Sequence, residues 1–121
     1  MLNSDQEPIF TTDRFADRCV IRVRGEVDIF SAPRLRGLIF ETPTDSAVVV
    51  DLTDCRYVDS SVLNLLVQTY RSRGGHLTVR IPPHGAVRRI FEVSGLAEHF
   101  ERQTQFDGIA SAKSKNRHAC R

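Results

Sequence analysis

The sequence predicts a single α/β domain with a mixed β-sheet flanked by helices. Strand-like and helix-like patterns alternate along the 121 residues, which is typical of β–α units with parallel strands at the centre. The segment AVVVDLT, residues 47–53, contains three consecutive valines and predicts an interior strand that is buried on both faces. The link DRFADR, residues 13–18, is short enough for an antiparallel hairpin between the first two strand patterns.

Each predicted element follows from its own periodicity. Strands alternate apolar and polar residues, whereas helices repeat apolar residues at i, i+3 and i+4. The predicted strands cover residues 8–12, 19–27, 47–53 and 76–81, and weaker alternation suggests an edge strand at 99–103. The predicted helices cover residues 31–41, 61–75 and 86–95, with a weak final helix at 105–112.

The predicted helix ends rest on particular side chains. Ser31 is the expected N-cap of the first helix, and Pro33 is tolerated in its first turn. Arg71 and Arg73 suit the negative C-terminal end of the second helix, which stops at a glycine pair.

Length and composition indicate a cytoplasmic protein with one domain. We expect a flexible N-terminus over residues 1–7, a domain over 8–112 and a basic disordered tail over 113–121. A net charge of +2 is too small to predict direct nucleic-acid binding. No apolar run reaches the roughly 20 residues of a membrane span, and the first residues do not resemble a signal peptide. The spacing of the cysteines and histidines predicts no disulfide framework, metal site or cofactor.

The most unusual short segment is Asp59-Ser60-Ser61, which lies between a buried strand and a buried helix. Open α/β sheets bind ligands at the carboxyl ends of their strands, and a helix N-terminus favours an anion. A phosphate on Ser60 or Ser61 would therefore be compatible with the fold. The alternative is that an aspartate or serine simply caps the helix, and spacing alone leaves both interpretations open.

Three segments give the chain a family resemblance. They are RGEVDIFSAPRLR at 24–36, VVVDLTDCRYVDSSVLNLL at 48–66, and GGHLTVRIPPHGAVRRIFEVSGL at 74–96. Together they resemble the STAS domain family of bacterial anti-sigma factor antagonists, from Cys19 to about Phe100. The resemblance implies alternating β and α elements with helices around a mixed sheet.

The resemblance also implies a regulatory binding module rather than an enzyme. In such systems the unmodified antagonist binds an anti-sigma factor that is also a serine kinase, which frees a sigma factor for transcription, for example in a stress response. The kinase phosphorylates the first serine of the motif, and a serine phosphatase reverses the modification. By this resemblance Ser60 is the phosphorylated residue, with Ser61 as second choice. The expected partner-binding residues are Asp28, Phe30, Ser31, Asp59, Ser61 and Val62.

Several of these residues also have purely structural interpretations. Asp28 could bond loop amides, Ser31 could cap the helix, Ser61 could be a neighbouring cap, and Phe30 could cover the core. The family usually has glycine where Val62 stands and a small residue near Asn64. A β-branched residue at that place is expected to limit close approach by a partner. Outside the motif, Asp51 is expected to end its strand with a structural hydrogen bond.

Two other functions remain open from the sequence. One is a STAS subunit of a lipid-transport ABC complex that binds the ATPase of that complex. The other is a small serine hydrolase that uses Ser60, although the chain contains no G-x-S-x-G motif.

Overall fold

The computed structural model describes residues 7–74 and 76–100, in which a mixed sheet carries helices on one face. The strands are β1 Ile9–Arg14, β2 Arg18–Val27, β3 Ala47–Asp51, β4 Cys55–Val58 and β5 Leu77–Arg80. The helices are α1 Ala32–Glu41, α2 Ser60–Ser72 and α3 Ala86–Val93.

The sheet combines one antiparallel pair with parallel pairs, which confirms the predicted fold class. β1 pairs with β2 as an antiparallel hairpin, and the amide of Phe15 closes the turn by donating to the carbonyl of Arg18 at 2.8 Å. β2 is parallel to β3, and β3 is parallel to β5. The strand order is β1-β2-β3-β5, with β4 paired to β2.

The hydrophobic core lies between the sheet and the helices. Alternate residues of β2, β3 and β5 face this core, while Val49 is buried separately on the opposite side of the interior strand. The core residues contributed by these strands and by α1, α2 and α3 include Ile21, Val23, Val48, Val50, Leu77, Val79, Leu35, Ile39, Val62, Leu66, Val87 and Phe91. The helices therefore cover the same face of the sheet.

β4 was not predicted from the sequence, and it pairs with the end of β2 that extends beyond β3. The first half of β2 pairs with β3, whereas its last residues, Gly25–Val27, pair with β4. The register shifts between Gly25 and Glu26, where Arg56 is the additional residue on β4, and the φ of 95° at Gly25 lies in the region that favours glycine. Beyond this shift, Val27 and Val58 are direct neighbours at the ends of parallel strands.

The predicted edge strand at 99–103 is wrong in its described part, because residues 96–100 are helical. Ala97 and Phe100 are three residues apart and both buried, as expected for one face of a helix. The predicted helix at 105–112 and the predicted tail at 113–121 lie outside the described residues. Within the described ranges, no helix has the length and apolar character needed to cross a membrane.

The two arginines at the end of α2 place their charges at the ends of different helices. Arg71 lies in the last turn of α2, as predicted. Arg73 is the C-cap residue of α2, but its guanidinium group binds carbonyl oxygens at the end of α1. The prediction placed the charge of Arg73 at the end of its own helix, but its guanidinium group also binds the end of α1.

Candidate functional site

Two loops meet at the carboxyl ends of β2 and β4. Val27 is paired with Val58, so the next residues, Asp28 and Asp59, begin neighbouring loops. Adjacent strands are about 4.8 Å apart. The fold therefore brings the loop before α1 close to the Asp59-Ser60-Ser61 motif.

Asp28 and Ser31 hold the loop before α1 in a closed turn. One carboxylate oxygen of Asp28 accepts from the amides of Phe30 and Ser31 at 3.0 and 3.1 Å, and from the Ser31 hydroxyl at 3.1 Å. The amide of Asp28 donates back to that hydroxyl at 3.0 Å. Ser31 occupies the N-cap position but makes no capping bond with its side chain, so the predicted capping role belongs to Asp28.

These bonds also lower the pKa of Asp28. The slight burial of Asp28 acts to raise its pKa, but the hydrogen bonds from Ser31 and from the amide of Phe30 outweigh that effect. The pKa of Asp28 therefore lies below its ordinary value, and the carboxylate stays ionised at neutral pH.

The same turn carries two large apolar side chains that are exposed to solvent. Ile29 is 61% exposed and Phe30 is 87% exposed. The interpretation of Phe30 as a cover over the core is wrong, because a covering side chain would itself be buried. Adjacent exposed apolar side chains on an ordered loop are typical of an interface.

The start of α2 is organised by Asp59. Its carboxylate is the N-cap and accepts from the amide of Ser61 at 3.0 Å and also from the Ser61 hydroxyl. The predicted capping of this helix is therefore confirmed, with Asp59 as the capping residue. Ser61 is not a neighbouring cap, because it lies inside α2 and donates its hydroxyl to Asp59. Ser60 is the first residue of α2 and its side chain is exposed.

Val62 does not belong to the surface of this site. Its side chain is fully buried in the core between α2 and the sheet. The expectations that Val62 contacts a partner and limits its approach are therefore wrong. The exposed residue of this part of α2 is Asn64.

A groove of about 290 Å³ lies between α1 and α2, next to the motif. It is lined by Ile29, Ala32, Pro33, Arg36, Ser61, Asn64, Leu65 and Gln68. Ile29 and Gln68 were not predicted as site residues, and Asn64 was noted only as a departure from the family. The sequence does contain a signal for the α2 side, because Ser61, Asn64 and Gln68 are polar residues at i, i+3 and i+7 whose intervening residues are apolar, and this spacing places them on one side.

A second cavity, of about 470 Å³, lies on the other side of the loop. Its lining includes three carboxylates, from Glu7, Glu26 and Asp28, together with Phe30 and Arg34. Phe30 therefore stands beside an acidic surface, whereas the groove next to Ser61 is mostly apolar.

The remaining predictions concern Asp51, the cysteines and metals. Asp51 ends β3 and accepts from the amide and hydroxyl of Thr53 at 3.0 and 2.6 Å, which confirms its structural role. Burial raises the pKa of the Cys55 thiol, and its sulfur donates to the carbonyl of Tyr57 at 3.3 Å. Among the residues that the structure describes, no group of three histidine, cysteine or acidic side chains could hold a metal ion.

Comparison with known proteins places this arrangement in a family. A family model described as "Mlab, STAS domain" matches residues 10–102. The anti-sigma-B factor antagonist of Listeria monocytogenes is 29% identical over 94 residues, which cover 74% of this chain and 82% of that protein.

Solved structures show the same fold. The crystal structure of an anti-sigma factor antagonist from Mycobacterium paratuberculosis superposes with a TM-score of 0.66 at 27% identity, over 78% of this chain and 84% of that one. The anti-sigma factor antagonist SpoIIAA in its unphosphorylated form gives a TM-score of 0.61 at 24% identity, over 73% and 82% of the two chains. The match to the family model covers most of the chain and includes both loops of the site. The protein belongs to the STAS domain family.

Proposed function

We propose that the protein is an anti-sigma factor antagonist that is switched by phosphorylation of Ser60. In its unmodified form it binds an anti-sigma factor with serine kinase activity and so releases a sigma factor in the cytoplasm. The observation that carries the proposal is the exposed Ser60 at the start of α2, beside a groove shared by Ser61 and the exposed Ile29.

Binding is supported by the apolar side chains of the loop before α1. Ile29 and Phe30 expose most of their surface, although the loop that carries them is held by four hydrogen bonds between Asp28 and its neighbours. Little conformational entropy is lost when such an ordered loop binds, which favours affinity. The partner surface is expected to offer an apolar pocket for Phe30, with basic residues facing the carboxylates of Glu26 and Asp28.

Switching is supported by the position of Ser60. A phosphate adds about −1.5 to −2 charges and three acceptor oxygens, and the N-terminus of α2 can accommodate it without unfolding. The adjoining groove is mostly apolar, so a partner that covers it would have to remove water from the phosphate. Burial of a charge without a partner is unfavourable, and phosphorylation is therefore expected to weaken binding.

The test is recovery of partners from the native host with the wild-type chain, Ser60→Ala and Ser60→Asp. We expect an anti-sigma factor with the first two and a strongly reduced amount with Ser60→Asp. The proposal would be abandoned if neither the wild type nor Ser60→Ala recovered an anti-sigma factor.

We propose no catalytic role for Ser60, which here is the residue that accepts a phosphate from a kinase and loses it to a phosphatase. A hydrolase would use the serine as a nucleophile activated by a nearby base. Reaction of Ser60 with a fluorophosphonate probe, abolished by Ser60→Ala, would contradict this assignment.

A second candidate function is a subunit of a lipid-transport ABC complex that binds the ATPase. The observation in its favour is Asn64, a polar side chain in the groove where the family usually has a small residue. Recovery of an ATPase, with no anti-sigma factor, in the same host experiment would support this candidate instead.

A further inference from the structure

The two helices that form the groove run parallel to each other. α1 connects the parallel strands β2 and β3, and α2 connects β4 to β5, which are parallel to the same strands. Both helices therefore begin at the carboxyl ends of the strands, next to Ser60, and end together at the opposite edge. The negative ends of two helix dipoles then lie close together, which is unfavourable without a positive charge.

Arg73 supplies that positive charge. It is the C-cap residue of α2, its side chain is buried, and its guanidinium group reaches the end of α1. One terminal nitrogen, Nη2, donates to the carbonyls of Ile39 and Thr42 at 3.0 and 2.5 Å. The other, Nη1, donates to the carbonyls of Pro43 and Ser46 at 2.9 and 3.1 Å.

These bonds join the C-terminal ends of α1 and α2, whereas the groove begins at their N-terminal ends and extends to Arg36 of α1 and Gln68 of α2. α1 has 10 residues and is therefore about 15 Å long. A tilt of about 5° around its fixed end would move its first turn by about 1 Å over that length. The contacts of Arg73 are thus able to set the width of the groove, most strongly near Ile29 and Ser61, which lie furthest from Arg73.

We propose that Arg73 is a positioning residue for the groove between α1 and α2. It acts by fixing the C-terminal end of α1 relative to α2, and so sets the distance between Ile29 and Ser61 across the groove. The effect on the groove depends only on this geometry; its importance for partner binding rests on the function proposed above. Lysine cannot replace the side chain fully, because a single ammonium group lacks the planar fork that reaches four carbonyls.

The test compares amide NMR spectra of the full chain with Arg73→Met, Arg73→Lys and Arg71→Met. The spectrum of the folded protein reports local geometry and does not change merely because stability is lower. We expect Arg73→Met to shift amide resonances at 29–35 and 61–68, in addition to those near the substitution. Arg73→Lys should shift the same resonances by less, since it keeps part of the bonding.

Arg71→Met is the matched control, because Arg71 is exposed on the last turn of the same helix. It removes the same charge without removing the bonds to α1, and it should shift only nearby resonances. Shifts confined to residues 39–47 and 69–76 in both Arg73 variants would overturn the proposal. If Arg73→Met does not fold, the lysine variant alone decides between these outcomes. Neither outcome depends on an anti-sigma factor, so the result is separate from the test of the proposed function.

Discussion

Two aspartates accept equivalent hydrogen bonds in the two loops of the site. The carboxylate of Asp28 accepts from the amide of Phe30, and that of Asp59 accepts from the amide of Ser61, in each case two residues further along the chain. Each turn leaves the residue directly after the aspartate exposed, which is Ile29 in one loop and Ser60 in the other. Both surface positions are therefore held by ordered turns.

Residue types alone could not assign every cap. Asp28 and Ser31 are both good capping residues and lie three positions apart. A capping side chain needs an extended backbone, but Ser31 is close to helical, with φ −101° and ψ −14°. Asp59 is extended, with φ −108° and ψ −175°, so here the prediction was confirmed.

The ionised state of Asp28 should appear in the pH dependence of stability. Its pKa in the folded protein lies below the ordinary value of 3.8. Its contribution is therefore complete above about pH 3.8 and is lost as the pH falls through the folded pKa. We expect the free energy of unfolding, measured with urea, to fall more between pH 6 and pH 3 in the wild type than in Asp28→Asn. Equal losses in the two proteins would contradict this assignment.

Phe30 should contribute to binding without contributing to stability. Because 87% of its surface is exposed, we expect Phe30→Ala to leave the thermal midpoint unchanged. Loss of an anchoring aromatic side chain should weaken binding of the anti-sigma factor by about tenfold or more in calorimetry.

Phe40 provides the control for this prediction. It is also exposed on the protein surface, but it lies at the other end of α1 and outside both cavities that adjoin the site. Phe40→Ala should leave the affinity unchanged. An equal loss of affinity in both variants would argue against a specific role for Phe30.

Among the secondary-structure elements, the segments with a clear apolar period were predictable, and β4, which lacks one, was not. The hairpin, the valine strand and the three helices follow from patterns of apolar residues along the chain. The two buried side chains of β4, Cys55 and Val58, are three positions apart, so this segment does not show the alternation that predicts a strand. It forms a strand because the last residues of β2 lie beyond the pairing with β3 and pair with β4 instead. That cause lies elsewhere in the sequence, so the local pattern could not show it.

Gly37 offers a test of the intrinsic stability of α1. It lies exposed in the helix interior, and an added Cβ would meet no atom within 4 Å. Gly37→Ala should therefore stabilise the protein by about 0.5–1 kcal/mol in urea unfolding, because alanine has the higher helix propensity.

Gly85 is the matched control for this substitution. A Cβ would meet nothing there either, but its φ is 98°, a conformation that alanine adopts only with strain. Gly85→Ala should therefore lower the free energy of unfolding. Stabilisation by both substitutions, or by neither, would contradict the explanation by helix propensity at Gly37 and backbone strain at Gly85.

At the scale of the whole molecule, the parallel topology creates the site. It directs the ends of β2 and β4 to one edge and starts α1 and α2 there, so the loop that exposes Ile29 and Phe30 becomes a neighbour of the exposed Ser60. The two motifs made the family predictable. The groove and the contacts of Arg73 were not, because they depend on how two helices are placed relative to each other. The local sequence of each helix does not indicate the distance between the two helices.

The proposal that Ser60 switches partner binding is tested by measuring affinity before and after phosphorylation of that serine. Calorimetry should compare the affinity of the anti-sigma factor for the unmodified chain and for the chain carrying phosphoserine at position 60. A chain with phosphoserine at position 72, at the opposite end of α2, serves as the control for added charge. The account predicts a loss of about a hundredfold or more for the first modification and little change for the second. Equal affinities for the unmodified chain and the chain modified at position 60 would contradict it.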